Sequence, residues 1–235
     1  MATLQTVQTQ FASVDGVNVA YRRFGKQNTF PLLYVNHLQG SIDVLDPLLF
    51  NIIGKNREVI LYDSFGIGHS EGAVPDSTTA MAFIATKLLA AVGVSKVDVI
   101  GFSMGGRVAQ ILAWDDPQLI HKLVLAGTQS AIGDGVVLPS RDVLESAAGR
   151  GWGTADAIFA FTVNISNFDR LKDIKAPTLV TNGHTDVMSP TPNSFILQQK
   201  ISNAQLIIYP DPGHGHLLQY PELYAQHLEL FLNDL

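Results

Sequence analysis

The segment GFSMGG, residues 101–106, surrounds the hydroxyl of Ser103 with three glycines. Glycine weakens both strands and helices. Three glycines in six residues therefore indicate a backbone conformation that requires them, despite their low propensity for regular secondary structure. Gly101 and Gly105 complete the pattern G-x-S-x-G, which stands between an apolar run and a helix-like run. A serine on such a tight, strained strand-to-helix turn is placed to act as a nucleophile. The same turn directs the backbone N–H of Met104 into the site at a helix N-terminus, where negative charge is favoured.

A serine nucleophile needs a base and an acid that orients the base. His214 lies after the last predicted strand, and the glycines on both sides of it let the loop carry the ring into a cleft. His216, two residues further on, is the rival base, and His214 is preferred. Asp186 follows the penultimate predicted strand and is the candidate acid. The three side chains then follow the chain order serine, aspartate, histidine.

The elements that must position these residues alternate between apolar runs and helical patterns. A hairpin with its turn at Asp15-Gly16 comes first, and short apolar runs follow it at 31–36, 58–63, 97–102, 122–127, 177–183 and 205–210. Apolar residues spaced by three or four positions predict a helix that begins near 77–78 and runs to about 92, and a second that follows GFSMGG and ends near 115–117. A last helix is predicted over about 221–233. Such runs are typical of buried parallel strands. The sequence therefore predicts an α/β fold, with a mostly parallel sheet flanked by helices and an N-terminal antiparallel hairpin.

Residues 129–175 interrupt this alternation, because they contain no strand pattern and are punctuated by glycines. Two short helices are predicted there, near 141–148 and 155–163. Residues 1–235 are therefore predicted to form a single domain, with 129–175 as a reduced helical cap inserted over the sheet. Trp152 and Phe159 of the cap are candidates to contact a substrate, and ordinary packing is the alternative for each.

Composition narrows the classes of partner. The chain has 235 residues, of which 46% are hydrophobic, and this is enough for a large core. Its formal net charge of -6, without a basic cluster, disfavours nucleic acid and membranes as partners. The absence of cysteine excludes disulfides, thiolate nucleophiles and cysteine-ligated zinc. Neither a secretory signal nor an apolar run of the roughly 20 residues that span a bilayer is seen, so a cytoplasmic protein is expected.

The motifs around the candidate residues resemble those of the α/β-hydrolases, in the chain order of that superfamily. GFSMGGRVAQ resembles the nucleophile elbow, GHTDVMSP the acid loop and DPGHGHLLQYP the histidine loop. NHLQGS at 36–41 is similar to the oxyanion-loop segment, and DSFGIGHSEG at 63–72 to the D-x-x-G-x-G-x-S loop. Within the superfamily, the likeness is greatest to the haloperoxidase-like and esterase group.

The resemblance implies a serine hydrolase that cleaves a carboxylic ester, lactone or related acyl bond of a small-molecule substrate through an acyl-enzyme. Ser103, Asp186 and His214 would form its catalytic triad, and no metal or organic cofactor would be needed. The backbone N–H groups of Leu38 and Met104 would form the oxyanion hole.

Two further residues near this oxyanion segment are candidate substrate contacts. His37 replaces the glycine of the commoner oxyanion pattern, and its ring is expected to brace the loop or, alternatively, to line the pocket. Phe102 precedes the candidate nucleophile directly.

Alternative functions stay open on the same residues. A cofactor-free perhydrolase or a C–C bond hydrolase would use the same triad, and a small-molecule receptor or scaffold with little turnover would keep the same fold. The cap is shorter than in most members of the superfamily. It predicts a site that is open in the monomer, with the cap region as the candidate interface of a homodimer.

Overall fold

The structure, a computed structural model, describes residues 2–150, 154–156, 158–159 and 168–233. In this part of the chain the strands are β1 (Gln10–Val14), β2 (Val17–Gly25), β3 (Leu32–Val35), β4 (Glu58–Tyr62), β5 (Val97–Phe102), β6 (Ile120–Ala126), β7 (Thr178–Gly183) and β8 (Ala204–Tyr209). They form one sheet in the order β1-β2-β4-β3-β5-β6-β7-β8. Only the β1–β2 and β2–β4 pairs of this sheet are antiparallel. The predicted α/β fold with an N-terminal antiparallel hairpin is confirmed.

The hairpin turn shows how local sequence sets one of these pairings. Asp15 and Gly16 have φ angles of 51° and 85°, the left-handed conformation that a two-residue turn between twisted strands requires. Val14 therefore pairs with Val17 across the turn. The predicted turn position is confirmed.

The helices are α1 (Pro47–Gly54), α2 (Thr78–Ala91), α3 (Met104–Asp115), α4 (Arg141–Gly149), α5 (Pro192–Lys200), α6 (His216–Gln219) and α7 (Pro221–Asn233). Short 3₁₀ turns cover Ile42–Val44 and Phe168–Asp173. Helices α1 and α5 were not among the predicted elements, although each begins with proline in its first turn, a usual start signal. Among the described residues, none of the helices is both long enough and apolar enough to cross a membrane. The cytoplasmic location stays a prediction.

The core lies on both faces of the sheet. Successive residues of a strand point to opposite faces, so Leu32 and Leu33 of β3 enter different clusters. Leu33 packs in the cluster that contains Leu88 of α2, whereas Leu32 packs in the cluster that contains Phe50 of α1 and Leu228 of α7. Burial on both faces explains why β3, β4 and β5 consist mostly of apolar residues.

The first predicted cap helix is α4, and the second, near 155–163, is helical at 155–156 and 158–159, with its other positions outside the described residues. Leu144 and Ile158 of this region belong to a small apolar cluster that also contacts Leu38 and Met188. Leu38 follows β3 and Met188 follows β7, so the described part of the cap packs against loops at the carboxyl edge of the sheet. The division into one domain with an inserted cap stays a prediction.

Candidate active site

Ser103 joins β5 to α3 with φ 58° and ψ -121°, a conformation that costs a non-glycine residue about 1–3 kcal/mol. Its own backbone groups hold it there. The N–H donates to the carbonyl of Ala126 at 2.9 Å, and the carbonyl accepts from Oγ1 of Thr128 at 2.7 Å. A Cβ atom on Gly105 would overlap the carbonyl oxygen of Val35, so only glycine lets the chain pass there. The strained turn predicted from G-x-S-x-G is present.

The structure brings the three predicted side chains into one hydrogen-bonded line. Nε2 of His214 lies 2.9 Å from Oγ of Ser103, and Nδ1 lies 2.8 Å from Oδ2 of Asp186. The three residues follow β5, β7 and β8, whose carboxyl ends share one edge of the sheet. A parallel sheet thus gathers residues that are far apart along the chain.

The carboxylate of Asp186 is buried, and each hydrogen bond that it makes with the described residues comes from a donor. Oδ1 accepts from the backbone N–H groups of Met188 and Ser189 at 2.8 and 3.0 Å, while Oδ2 accepts from His214. These bonds compensate the burial of an ionised carboxylate. Because that carboxylate can only accept, Nδ1 of His214 carries the proton. Nε2 then presents its lone pair to Ser103.

His216, the rival base, has a different environment. Its ring is buried, with Nε2 at 3.0 Å from Oγ1 of Thr181 and the ring packed against Tyr209 and Tyr224. Burial lowers the pKa of His216 to about 4. The ring that meets Ser103 is that of His214.

The loop after β3 is held by the side chain of Asn36. Oδ1 accepts from the N–H of His37 at 2.9 Å, and Nδ2 donates to the carbonyl of Ser41 at 3.2 Å. Neither Leu38 in this loop nor Met104 at the start of α3 donates its backbone N–H to a residue that the structure describes. At the first position of a helix an N–H has no intrahelical acceptor, so that of Met104 is available to an anion.

Comparison with known proteins finds similarity over the whole chain. Residues 37–150 match the family described as alpha/beta hydrolase fold. An alpha/beta hydrolase fold protein from Chitinophaga pinensis superposes with a TM-score of 0.86 at 29% identity, over 100% of both chains. The chain has the α/β-hydrolase fold.

Two relatives match this α/β-hydrolase over nearly its whole length. The poly(3-hydroxyalkanoate) depolymerase of Ectopseudomonas oleovorans is 29% identical, over 95% of this chain and 93% of its own. The serine hydrolase BPHL of Homo sapiens is 25% identical, over 97% of this chain and 87% of its own. The chain is accordingly a serine hydrolase of the α/β fold. Its assignment to the haloperoxidase-like and esterase group stays a prediction.

The hydrolase has an apolar cavity of about 260 Å³ beside this site. Leu38 and Met104 form part of its wall, so the cavity adjoins the candidate oxyanion hole. Its remaining wall comes from β3, β4 and the loops that follow these two strands, and from α2 and α3.

His37 also lines this cavity, and its ring meets Phe102 edge-on with 5.7 Å between the ring centroids. Burial, with the nearby charge of His214, lowers the pKa of His37 to about 4, so the ring is neutral at pH 7. Phe102 is itself buried and lies 5.0 Å from the ring of His214. Both are therefore next to the candidate triad, and their contact with substrate stays a prediction.

The two cap aromatics are placed differently. Phe159 of the hydrolase is 37% exposed, and it is absent from the described wall of the cavity. Trp152 lies outside the described residues.

Further polar residues support the site without having been assigned from the sequence. Asn36 and Thr128 hold the two backbone segments described above. Asp63, fully buried, accepts from the N–H groups of Ile42 at 2.7 Å and His69 at 2.9 Å. Its position as the first residue of DSFGIGHSEG, directly after a buried strand, is the signal that could have revealed it. No group of His, Asp and Glu that could hold a metal occurs in the described ranges.

Proposed function

We propose that this hydrolase cleaves a carboxylic ester, lactone or related acyl bond through an acyl-enzyme intermediate. The hydrogen-bonded line from Ser103 through His214 to Asp186, with links of 2.9 and 2.8 Å, carries the proposal. Oγ of Ser103 attacks the carbonyl carbon while Nε2 of His214 takes its proton. Asp186 keeps the imidazole in the required tautomer and stabilises the imidazolium that forms.

The two following steps return the site to its starting state. The tetrahedral intermediate collapses, the leaving oxygen takes the proton from His214, and the acyl group stays on Ser103. Water then attacks the acyl carbon, and Nε2 of His214 takes a proton from this water. The second tetrahedral intermediate collapses, the carboxylic acid leaves, and His214 returns the proton to Oγ of Ser103. The N–H groups of Leu38 and Met104 stabilise both oxyanions, and each such donor typically lowers the barrier by about 2.7–4 kcal/mol.

Similarity to the poly(3-hydroxyalkanoate) depolymerase favours an ester, because ester bonds join the units of such a polymer. Perhydrolysis and C–C bond cleavage would use the same three side chains, and a receptor would use the same pocket. These are the alternatives that a test must separate.

Ser103→Ala should abolish turnover of p-nitrophenyl butanoate and covalent labelling by a fluorophosphonate, because both reactions need the Ser103 oxygen. Ser202→Ala, at an exposed serine, should leave both unchanged. Circular dichroism should show that both variants fold. An alanine variant at 103 that keeps most of its activity would contradict the mechanism.

The time course of the unmodified protein separates enzyme from receptor. An enzyme continues to release p-nitrophenol over many equivalents, whereas a receptor stops after about one equivalent. Release that stops there would contradict the proposed function.

A further inference from the structure

We propose that the apolar cavity beside the candidate oxyanion hole binds the acyl chain of the ester, so that its size sets the acyl-chain length the enzyme prefers. The inference rests on the proposed function and names the part of the substrate that this cavity takes. It depends on three properties of the cavity: its position, its wall and its volume.

The position follows from the order of the strands. Ser103 follows β5, the loops that carry Asp186 and His214 lie on the β6–β8 side, and the cavity lies on the β3–β4 side. His214 gives its proton to the leaving oxygen, so the alcohol half of an ester must lie on the side of β8. The carbonyl oxygen lies at the N–H groups of Leu38 and Met104, and both residues form part of the cavity wall. The acyl chain is then the substituent directed toward the cavity.

The wall has a closed inner end and an exposed mouth. Tyr62, Met81 and Val108 are buried and form the inner end, where β4, α2 and α3 meet. Val74, 53% exposed, stands at the surface, with half-buried Ile67 beside it on the same loop. Polar side chains also line the wall: Asn36 is bonded to its own loop, Gln39 is exposed and Ser64 is half-buried. Such a wall offers an alkyl chain burial from water, worth about fourfold in kcat/KM for each methylene that fits.

The volume sets a limit on that gain. The cavity of about 260 Å³ is smaller than the roughly 300–1,000 Å³ of pockets for drug-sized ligands. A short acyl chain fills it, and a long one must leave part of its length outside. We therefore expect kcat/KM to rise from acetyl to butanoyl or hexanoyl p-nitrophenyl esters and to rise no further at decanoyl.

Two substitutions test the assignment in opposite directions. Met81→Ala lengthens the inner end and should move the optimum toward longer acyl chains. Leu88→Ala, buried on the same helix but away from the cavity, is the matched control for lost packing and should keep the wild-type optimum.

Val74→Phe narrows the mouth of the cavity and should lower kcat/KM for the hexanoyl ester relative to the acetyl ester about tenfold or more. Val44→Phe, at an exposed valine outside the wall, is the control and should leave this ratio of kcat/KM values unchanged.

Acetate esters of lengthening alcohols form the second series. The proposal is supported if Met81→Ala and Val74→Phe change the acyl series and leave the alcohol series as in the wild type. It is overturned if they change the alcohol series instead, or if neither series differs from that of the controls. Failure of the proposed function itself has a different result, in which the wild type hydrolyses no ester and Ser103 takes no fluorophosphonate label.

Discussion

At the scale of single residues, the candidate site depends on one tautomer of His214. The carboxylate of Asp186 offers only acceptors, and two backbone N–H groups occupy its other oxygen. The proton must therefore lie on Nδ1, and Nε2 is left to accept from Ser103. A neutral group of the same shape at position 186 would remove this constraint.

Asp186→Asn should lower kcat by a factor on the order of 10⁴ while the protein stays folded. The amide oxygen can keep the bonds from Met188 and Ser189, so the amide NH₂ faces Nδ1. The histidine must then carry its proton on Nε2, where it cannot accept from Ser103. Steady-state kinetics and thermal unfolding measure the two effects. Asp134→Asn, at an exposed aspartate, is the control and should keep the wild-type kcat. If kcat is instead near normal in Asp186→Asn and low in Asp134→Asn, the acid of the triad is Asp134.

At the scale of elements, the loops after β3 and β4 are joined by Asp63. The two oxygens of this buried carboxylate accept from Ile42 in one segment and from His69 in the other. The same loops carry Leu38 and Val74 of the cavity wall. One side chain thus determines how two sides of the cavity stand relative to each other.

Asp63→Asn should destabilise the protein by about 1–3 kcal/mol, because one of the two backbone N–H groups would face an amide donor and lose its acceptor. Urea unfolding of the variant measures the loss. Asp76→Asn, in the same loop at an exposed aspartate, should change the stability by less than about 0.5 kcal/mol. Equal stabilities of the two variants would show that the Asp63 carboxylate does not hold the loops together.

At the scale of the whole molecule, two buried histidines link stability to pH. Burial lowers the pKa of both His37 and His216 to about 4, from an ordinary value near 6.5. Between these values the unfolded chain binds protons at these positions and the native protein does not. The free energy of unfolding must therefore fall as the pH falls through this window.

The contribution of His216 is fully present above pH 6.5 and decreases by about 1.4 kcal/mol per pH unit toward pH 4. The glutamine of His216→Gln cannot bind a proton. The variant should therefore have a slope of unfolding free energy against pH that is lower by about 1.4 kcal/mol per pH unit, even if the substitution lowers stability at every pH. His184→Gln, at an exposed histidine, should keep the wild-type slope. Urea unfolding between pH 4 and 7 gives the slopes, and identical slopes in all three proteins would show that His216 is not held neutral in the native state.

The sequence by itself determined the strands of the sheet, the hairpin turn at Asp15-Gly16 and the turn that strains Ser103. Each depends on residues that are neighbours along the chain, such as an apolar run buried on both faces or a glycine required by a positive φ. Local signals also placed His214 and Asp186 in loops after the last two strands. In a parallel sheet, such loops emerge at the same edge as the elbow, so their meeting could be predicted without coordinates.

Only the tertiary structure decided between His214 and His216. The two histidines are two positions apart, and the path of the loop determines which ring reaches Ser103 and which enters the core. It also decided the cavity beside the oxyanion loop. Tyr62, Met81 and Val108 each have the local pattern of ordinary core residues, and they come from three elements far apart in sequence. A space left between packed side chains depends on how those elements approach one another, and no local pattern in the chain encodes it.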